Sequence, residues 1–295
     1  MRVLFIINPI AGDIPKDEFI RFIKSEMIER ELPLYTLYTT GEDDEQRLLR
    51  KVQEVKPHRI ISVGGDGTLL LVCQTLLHKA IPIGIVPLGS ANGMAEELGI
   101  PKNPIEALSV ALDSLKKVPL DLILFNSHLY GMHIADVGMN AKLVEAYDKD
   151  PGRGLMTYAK YLLPVLENAP LLHFEILADG IEYHRQGYML AIANAQKYGT
   201  GVIINPKGKF SDGKFELCIL KDKSINTIMS AGLTIFSPEL FRNESMEVIS
   251  CEKASIKLKE KYMFQIDGEV IGEVDHITAE PVHNAIEVFV PHLRS

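Results

Sequence analysis

The segment Ile60-Ile61-Ser62-Val63-Gly64-Gly65-Asp66-Gly67-Thr68-Leu69 constrains this chain more than any other. An apolar run feeds a turn with three glycines in four positions, and apolar residues then resume as a helix would need them. Without Cβ atoms the turn's backbone N–H groups can approach a polyphosphate, and the N-terminus of the following helix adds favourable partial charge. An acid inside such a loop would repel bare phosphate, so Asp66 points to a divalent cation or its waters in between. Thr68 can cap the helix or hydrogen-bond a phosphate oxygen. A plain strand-to-helix turn with Asp66 and Thr68 as caps fits the same residues, and the loop alone names no substrate.

Up to about residue 120, short apolar runs alternate with amphipathic stretches, the rhythm of a parallel sheet with crossover helices. Strands are expected over 3–7, 34–38, 59–63 and 81–86, and helices over 17–31, 43–55 and 69–79. The result is a Rossmann-like open parallel sheet whose ligand lies beyond the carboxyl ends of the strands. Two further loops of small and polar residues follow strands at that edge, Asn8-Pro9-Ile10-Ala11-Gly12 and Val86-Pro87-Leu88-Gly89-Ser90-Ala91-Asn92-Gly93-Met94-Ala95. Three loops then converge on one candidate nucleotide site.

After Pro119 the rhythm changes to short strands separated by polar turns, expected over 120–125, 129–135, 173–178, 188–193, 215–220, 254–258, 262–266 and 285–290. Helical patches interrupt them over 155–168 and 225–236. The fold class is α/β plus β: the Rossmann-like lobe over 1–120, a mostly antiparallel β-sandwich lobe over 121–285, and a terminal strand and tail over 286–295 that can return to the N-terminal lobe. A chain of 295 residues suits two such domains, since single cores stop growing near this size.

A formal net charge of −8 argues against a broad nucleic-acid surface. Lys257-Leu258-Lys259-Glu260-Lys261 reads as a solvated strand edge or turn. Cys73, Cys218 and Cys251 are far apart without a CxxC pair, so they read as buried thiols in a reducing compartment rather than a disulfide framework or zinc site. The N-terminal apolar run is too short for a signal peptide, and no stretch reaches the ~18 apolar residues of a membrane span. A cytoplasmic protein with at most peripheral membrane contact is expected, and the apolar groups 202–204, 235–236 and 240–241 could meet a bilayer, although core packing suits them better. No HxxxH pair or GxSxG elbow supports zinc or Ser-His-Asp chemistry.

The set Asn8-Pro9-x-x-Gly12, Gly64-Gly65-Asp66-Gly67-Thr68, Pro87-x-Gly89-Ser90-x-Asn92, the stretch 205–217 with Asp212-Gly213, and Gln265-Ile266-Asp267-Gly268-Glu269 resembles the diacylglycerol kinase catalytic-domain family. That family includes bacterial lipid kinases and the sphingosine and ceramide kinases, and the resemblance runs over essentially the whole chain. It implies ATP on the first three motifs, with Asn8, Pro9, Gly12, Gly64, Gly65, Asp66, Gly67, Thr68, Gly89, Ser90 and Asn92 as its contacts and either Thr39 or Thr40 as another. It implies Mg2+ in an acidic, water-linked network of Asp66 and Asp121, and a second, structural metal site at Asp212 with the carbonyls of Lys209 and Lys214. It implies Glu269 as the base toward a lipid hydroxyl, and therefore a membrane lipid as partner in the reaction; a homodimer is compatible with it. One departure stands out: the family commonly has Asp after the Asn of the second loop, where this chain has Gly93.

Read without the family, Glu269 is a hairpin carboxylate beside an Asp-Gly turn and Asp121 a strand-end acid. Two other functions share some of these residues. An NAD kinase would share Gly-Gly-Asp-Gly-Thr but leave Asp267-Gly268-Glu269 unexplained, and a catalytically weak nucleotide or lipid sensor is compatible with Gly93.

Overall fold

The computed structural model describes residues 1–12, 16–90, 92–138, 168–196, 205–206, 208–222 and 246–292. The helices expected over 155–168 and 225–236 lie outside these residues apart from Asn168, as do the apolar groups at 202–204, 235–236 and 240–241. Packing divides the chain into unit 1, Met1–Leu120 with Asn284–Ser295, and unit 2, Asp121–His283. Two strands, β5 (Lys117–Phe125) and β14 (Glu269–Phe289), each run from one unit into the other.

Unit 1 is built on parallel strands β1 (Val3–Ile7), β2 (Leu34–Tyr38), β3 (Arg59–Gly64) and β4 (Ile83–Pro87), in the order β4-β3-β1-β2. Val288 of β14 pairs with Ile83 of β4, also in parallel. β1, β3 and β4 are buried along their whole length, which is why their sequences read as unbroken apolar runs rather than alternating ones. Helix α1 (Lys16–Glu29) lays Phe19, Ile23 and Met27 on this core, one residue per turn. Helices α2 (Asp44–Val55) and α3 (Asp66–Thr75) follow the next two strands.

Two helices, α4 (Gly93–Glu97) and α5 (Pro104–Asp113), were not expected from periodicity. α5 has a full N-terminal signal: Asn103 accepts the N–H groups of Ile105 and Glu106, and Pro104 takes the first helical position. Its other end is held by Arg59, a buried residue of β3 that donates to the carbonyls of Ala111 and Leu112 at 2.7 and 2.6 Å and lies 4.1 Å over the Phe289 ring.

Unit 2 is antiparallel. One run of strands is β12 (Met246–Cys251), β11 (Phe215–Leu220), β10 (Met189–Ala193), β7 (Ile134–Val137), β13 (Ala254–Ile266) and β14. β8 (Leu172–Ala178) and β9 (Ile181–Gly187) form a hairpin on the first part of β13, and β6 (Leu129–Gly131) pairs with β5. β13 is the corner piece: Ala254–Leu258 pairs with β8, and Phe264–Ile266 pairs with β7. Phe125, Phe174, Phe215 and Phe264 are fully buried in the core enclosed by these strands.

Two expectations are corrected here. The strands expected over 254–258 and 262–266 are one strand, with a register shift against β14 between Lys257 and Tyr262 that leaves Lys259, Glu260 and Lys261 exposed. The strand expected over 129–135 is two, because the amides of Met132, His133 and Ile134 turn out of the ladder to donate to the carboxylate of Asp267. All three cysteines are buried; desolvation pushes the Cys251 thiol up to about 12 and Cys218 further, which leaves both inert at neutral pH. No helix among the described residues is long and apolar enough to cross a membrane.

Candidate functional site

In unit 1 the loops after β1, β3 and β4 meet. A Cβ added to Gly89 would stand 2.4 Å from Cα of Gly65, and one added to Gly12 would stand 2.3 Å from the Leu88 carbonyl. These are backbone-to-backbone approaches, so a side chain at either position could not be accommodated by rotating a neighbour. Gly12 also adopts φ +60°, where glycine is favoured. The Asn8 N–H donates to the Val63 carbonyl and the Leu88 N–H to the Gly64 carbonyl, at 3.0 and 2.8 Å, which ties the first and third loops to the end of β3. Asn8 closes its own loop by accepting the Ile10 N–H at 3.0 Å.

Asp66 opens α3 yet does not cap it. Its carboxylate reaches α4, accepting the N–H of Gly93 at 2.7 Å on Oδ2 and of Met94 at 3.2 Å on Oδ1. The N-cap of α4 is Asn92, held at φ 54°, and its amide is engaged elsewhere, accepting from Gly89 N–H at 2.8 Å and donating to Gly89 O at 2.6 Å. Asp66 therefore supplies the capping carboxylate that Asn92 cannot. Thr68 is buried against Gly64. Ser90 is exposed at the mouth of a 180 Å³ pocket shared with Pro87, Asn92 and Glu96.

The two threonines separate in the structure. Thr40 belongs to the turn before α2: its N–H donates to Asp44 and its hydroxyl donates to Glu42 O and accepts from Arg47 at 2.9 Å. Burial works to raise the Asp44 carboxyl, but the N–H groups of Gly41 and Thr40 together with Arg47 hold it below its ordinary value. Thr39 is half-buried, its N–H bonded to Ile7 O at the end of β1, and its hydroxyl has no hydrogen bond to a described residue.

The remaining candidates lie in unit 2. Asp121 is wholly buried; it accepts the Gly213 N–H at 2.7 Å and faces Nδ1 of His283 at 3.0 Å, while its own N–H bonds to Phe210 O. The structure thus joins Asp121 to the loop that carries Asp212, and to a histidine that sequence reasoning passed over. Lys209, Asp212 and Lys214 are exposed on that loop, where Asp212 accepts the Lys214 N–H at 3.2 Å in a turn.

Glu269 is the exposed first residue of β14. It follows a tight turn in which Asp267 and Gly268 have φ of 50° and 90°, the conformation that Asp-Gly favours in two-residue hairpins. The turn is clamped from both sides. Asp267 takes the three amides of Met132, His133 and Ile134 at 2.7 to 2.9 Å, and Gln265 accepts the Gly268 N–H at 2.7 Å while donating to the buried Asp136. Asp267 and Gln265 were visible in the sequence only as members of a motif; that they fix the turn depends on partners some 130 positions away.

Asp66 has donors to spare for a metal. Each oxygen of Asp66 spends one lone pair on an amide and keeps another, and no cluster of three His, Cys, Asp or Glu that could hold an ion occurs among the described residues. That suits Mg2+, which keeps several waters and takes phosphate oxygens beside one or two carboxylates, rather than a cation held by a protein cage.

Comparison with known proteins agrees with this geometry. Residues 2–123 match the family model for the diacylglycerol kinase catalytic domain, and residues 134–290 match that for the YegS C-terminal NAD kinase beta sandwich-like domain. A protein of Serratia proteamaculans (strain 568) named "Probable lipid kinase YegS-like" is 25% identical over 98% of this chain and 93% of its own. A diacylglycerol kinase of Mycobacterium tuberculosis (strain ATCC 25618 / H37Rv) is 25% identical over 80% of this chain and 78% of its own. Two crystal structures from Bacillus anthracis str. Sterne, the second of a diacylglycerol kinase, share the fold with TM-scores of 0.81 and 0.74 at 21% and 19% identity, each alignment covering 98% of this chain and 97% of the other. With one model on its first 120 or so residues and the other on more than half its length, the chain belongs to the family of kinases that join a diacylglycerol kinase catalytic domain to a YegS-type C-terminal domain.

Proposed function

We propose that this kinase transfers the γ-phosphoryl group of Mg·ATP to a hydroxyl of a membrane lipid, such as diacylglycerol or a sphingoid base, from the cytoplasmic side and with peripheral contact to the bilayer. The observation that carries the reading is the close backbone approach of Gly65 to Gly89 and of Gly12 to Leu88, which brings three glycine-bearing strand-end loops together. ATP bound with magnesium supplies the phosphoryl group and the charge neutralisation that its transfer needs. The loops of unit 1 bind and orient the phosphates, Thr39 adds a hydroxyl at the end of β2, and Asp66 presents its remaining lone pairs to the metal and its waters. Asp121 and the Asp212 loop are the second acidic element, with His283 holding the Asp121 carboxylate in place.

Glu269 is the residue assigned to the acceptor. A carboxylate on a clamped turn can orient the lipid hydroxyl and take its proton as the bond to phosphorus forms; because the transition state is loose, positioning counts for more than basicity. The test is transfer of label from radioactive ATP into a total lipid extract, with NAD as a parallel acceptor. A labelled lipid supports the reading; labelled NAD alone replaces it with an NAD kinase, and Mg·ATP binding without transfer replaces it with a nucleotide sensor.

A further inference from the structure

The two residues after Glu269, Val270 and Ile271, are both aliphatic and both exposed, at 46% and 40%. In a regular strand consecutive side chains alternate between faces, so one of the two should have been turned onto the sheet's buried side. The register explains why neither is. Glu269 pairs with Ile266 and Val270 with Gln265, but the next pair is Gly272 with Phe264, so Ile271 is an extra residue with no partner on β13. It is a β-bulge, and Gly272 takes up the distortion at φ 136°.

What lies opposite the bulge is already filled. Phe264 and Ile266 are packed in the core, and Gln265 is buried with both ends of its amide in use, on Gly268 and Asp136. Neither aliphatic residue belongs to the core formed by the described residues of unit 2, and the bulge leaves both of them exposed within two positions of Glu269. Bulges of this kind recur beside active sites, where they re-aim side chains.

We infer that Val270 and Ile271 form the contact for the apolar body of the acceptor lipid, the acyl or sphingoid chain region nearest the hydroxyl that Glu269 receives. The inference rests on the lipid kinase reading above. A lipid that offers a hydroxyl carries apolar surface within a few bonds of it, so a carboxylate that orients the hydroxyl needs exposed aliphatic groups directly alongside. Val270 and Ile271 provide them on the same short stretch of strand, and the clamp on Asp267 and Gly268 holds the turn from which that stretch starts.

The test uses a double variant, Val270→Thr with Ile271→Thr, which keeps the β-branched shape and strand propensity and removes the apolar character. Transfer is measured to dioleoylglycerol in phosphatidylcholine vesicles and to dihexanoylglycerol in solution, with the KM for ATP and the oligomeric state by light scattering measured alongside. The expected result is a rise of at least tenfold in KM for the vesicle-borne acceptor, a smaller rise for the short-chain acceptor, and an unchanged KM for ATP. Equal KM values for variant and wild type on vesicles overturn the inference. Equal losses on both acceptors overturn it too, because the pair would then act on the position of Glu269. A change of oligomeric state overturns it in favour of an edge that pairs with another protein chain. A wild-type protein that phosphorylates no lipid removes both the kinase reading and this inference, so the two failures are distinguishable.

Discussion

The carboxylate of Asp66, at the head of α3, accepts the amide N–H of Gly93, at the head of α4, at 2.7 Å. One acid therefore closes a helix terminus and, in the proposed mechanism, also serves the metal. Asp66→Asn separates the two roles. The asparagine has one oxygen for two amides and turns an NH2 toward one of them, so the variant should lose about 1–2 kcal/mol of stability. Transfer should fall by ~100-fold or more from lost electrostatic stabilisation. Thermal midpoint and rate are measured together, and an unchanged rate across magnesium concentrations would leave Asp66 with the cap alone.

Gly93→Asp restores the acid that the family commonly has, but places it beside Asp66. Two carboxylates this close disfavour each other's ionised form unless a cation lies between them. The variant should therefore melt below the wild type without magnesium, recover with it, and reach half-maximal rate at a lower magnesium concentration. A midpoint lowered equally with and without magnesium would mean that backbone fit, not charge, governs this position.

The loop contacts predict an order among glycine variants. A methyl at Gly89 meets Cα of Gly65 at 2.4 Å, whereas a methyl at Gly65 meets Cα of Gly89 at 3.1 Å. Gly89→Ala must push the loops apart and should weaken Mg·ATP binding by about tenfold or more, while Gly65→Ala needs a shift of only tenths of an ångström and should cost less. Calorimetry on both variants checks the order, and the reverse order would show that contact between these loops does not set the nucleotide site.

Thr39 and Thr40, equivalent by sequence, should behave oppositely. Thr40→Ala breaks the hydroxyl bonds to Glu42 and Arg47 and should lower stability by about 0.5–1.5 kcal/mol with ATP affinity kept. Thr39→Ala should leave the thermal midpoint alone and weaken ATP. Loss of ATP affinity in the Thr40 variant only would reverse the assignment.

The legible parts of this protein are those whose cause is local. The expected bounds of β1 and β11 coincide with the observed ones because a buried strand is written as an apolar run with turn residues at its ends, and those of β2, only half-buried, coincide as well. The close approach of the loops after β1, β3 and β4 is legible for the same reason, since their glycines mark it. β9 escaped because its sequence, Ile-Glu-Tyr-His-Arg-Gln-Gly, is polar and mostly exposed, and it is a strand through its pairing with β8. The break in the strand expected over 129–135 escaped because its cause, Asp267, is more than 130 residues away, and the Asp121 partner His283 is 162 positions distant. α5 should have been found: Asn103-Pro104 is a helix start that periodicity alone overlooks.

Glu269 and Asp267 share one turn and should separate chemistry from positioning. Glu269→Gln keeps the shape of an exposed side chain that the described structure does not lean on, and removes the proton acceptor. The thermal midpoint and the affinity for Mg·ATP should stay near wild type, the latter within about threefold or under ~1 kcal/mol, since the glycine loops proposed to bind it belong to unit 1. The transfer rate at saturation should fall by two to four orders of magnitude, the range of a general base. Asp267→Asn is the contrasting case. Its carboxylate receives three amides, and an asparagine must turn an NH2 toward at least one of them, so the turn should loosen and both midpoint and rate should fall. A Gln variant of wild-type rate would return Glu269 to an ordinary hairpin carboxylate and leave the acceptor's proton to another group.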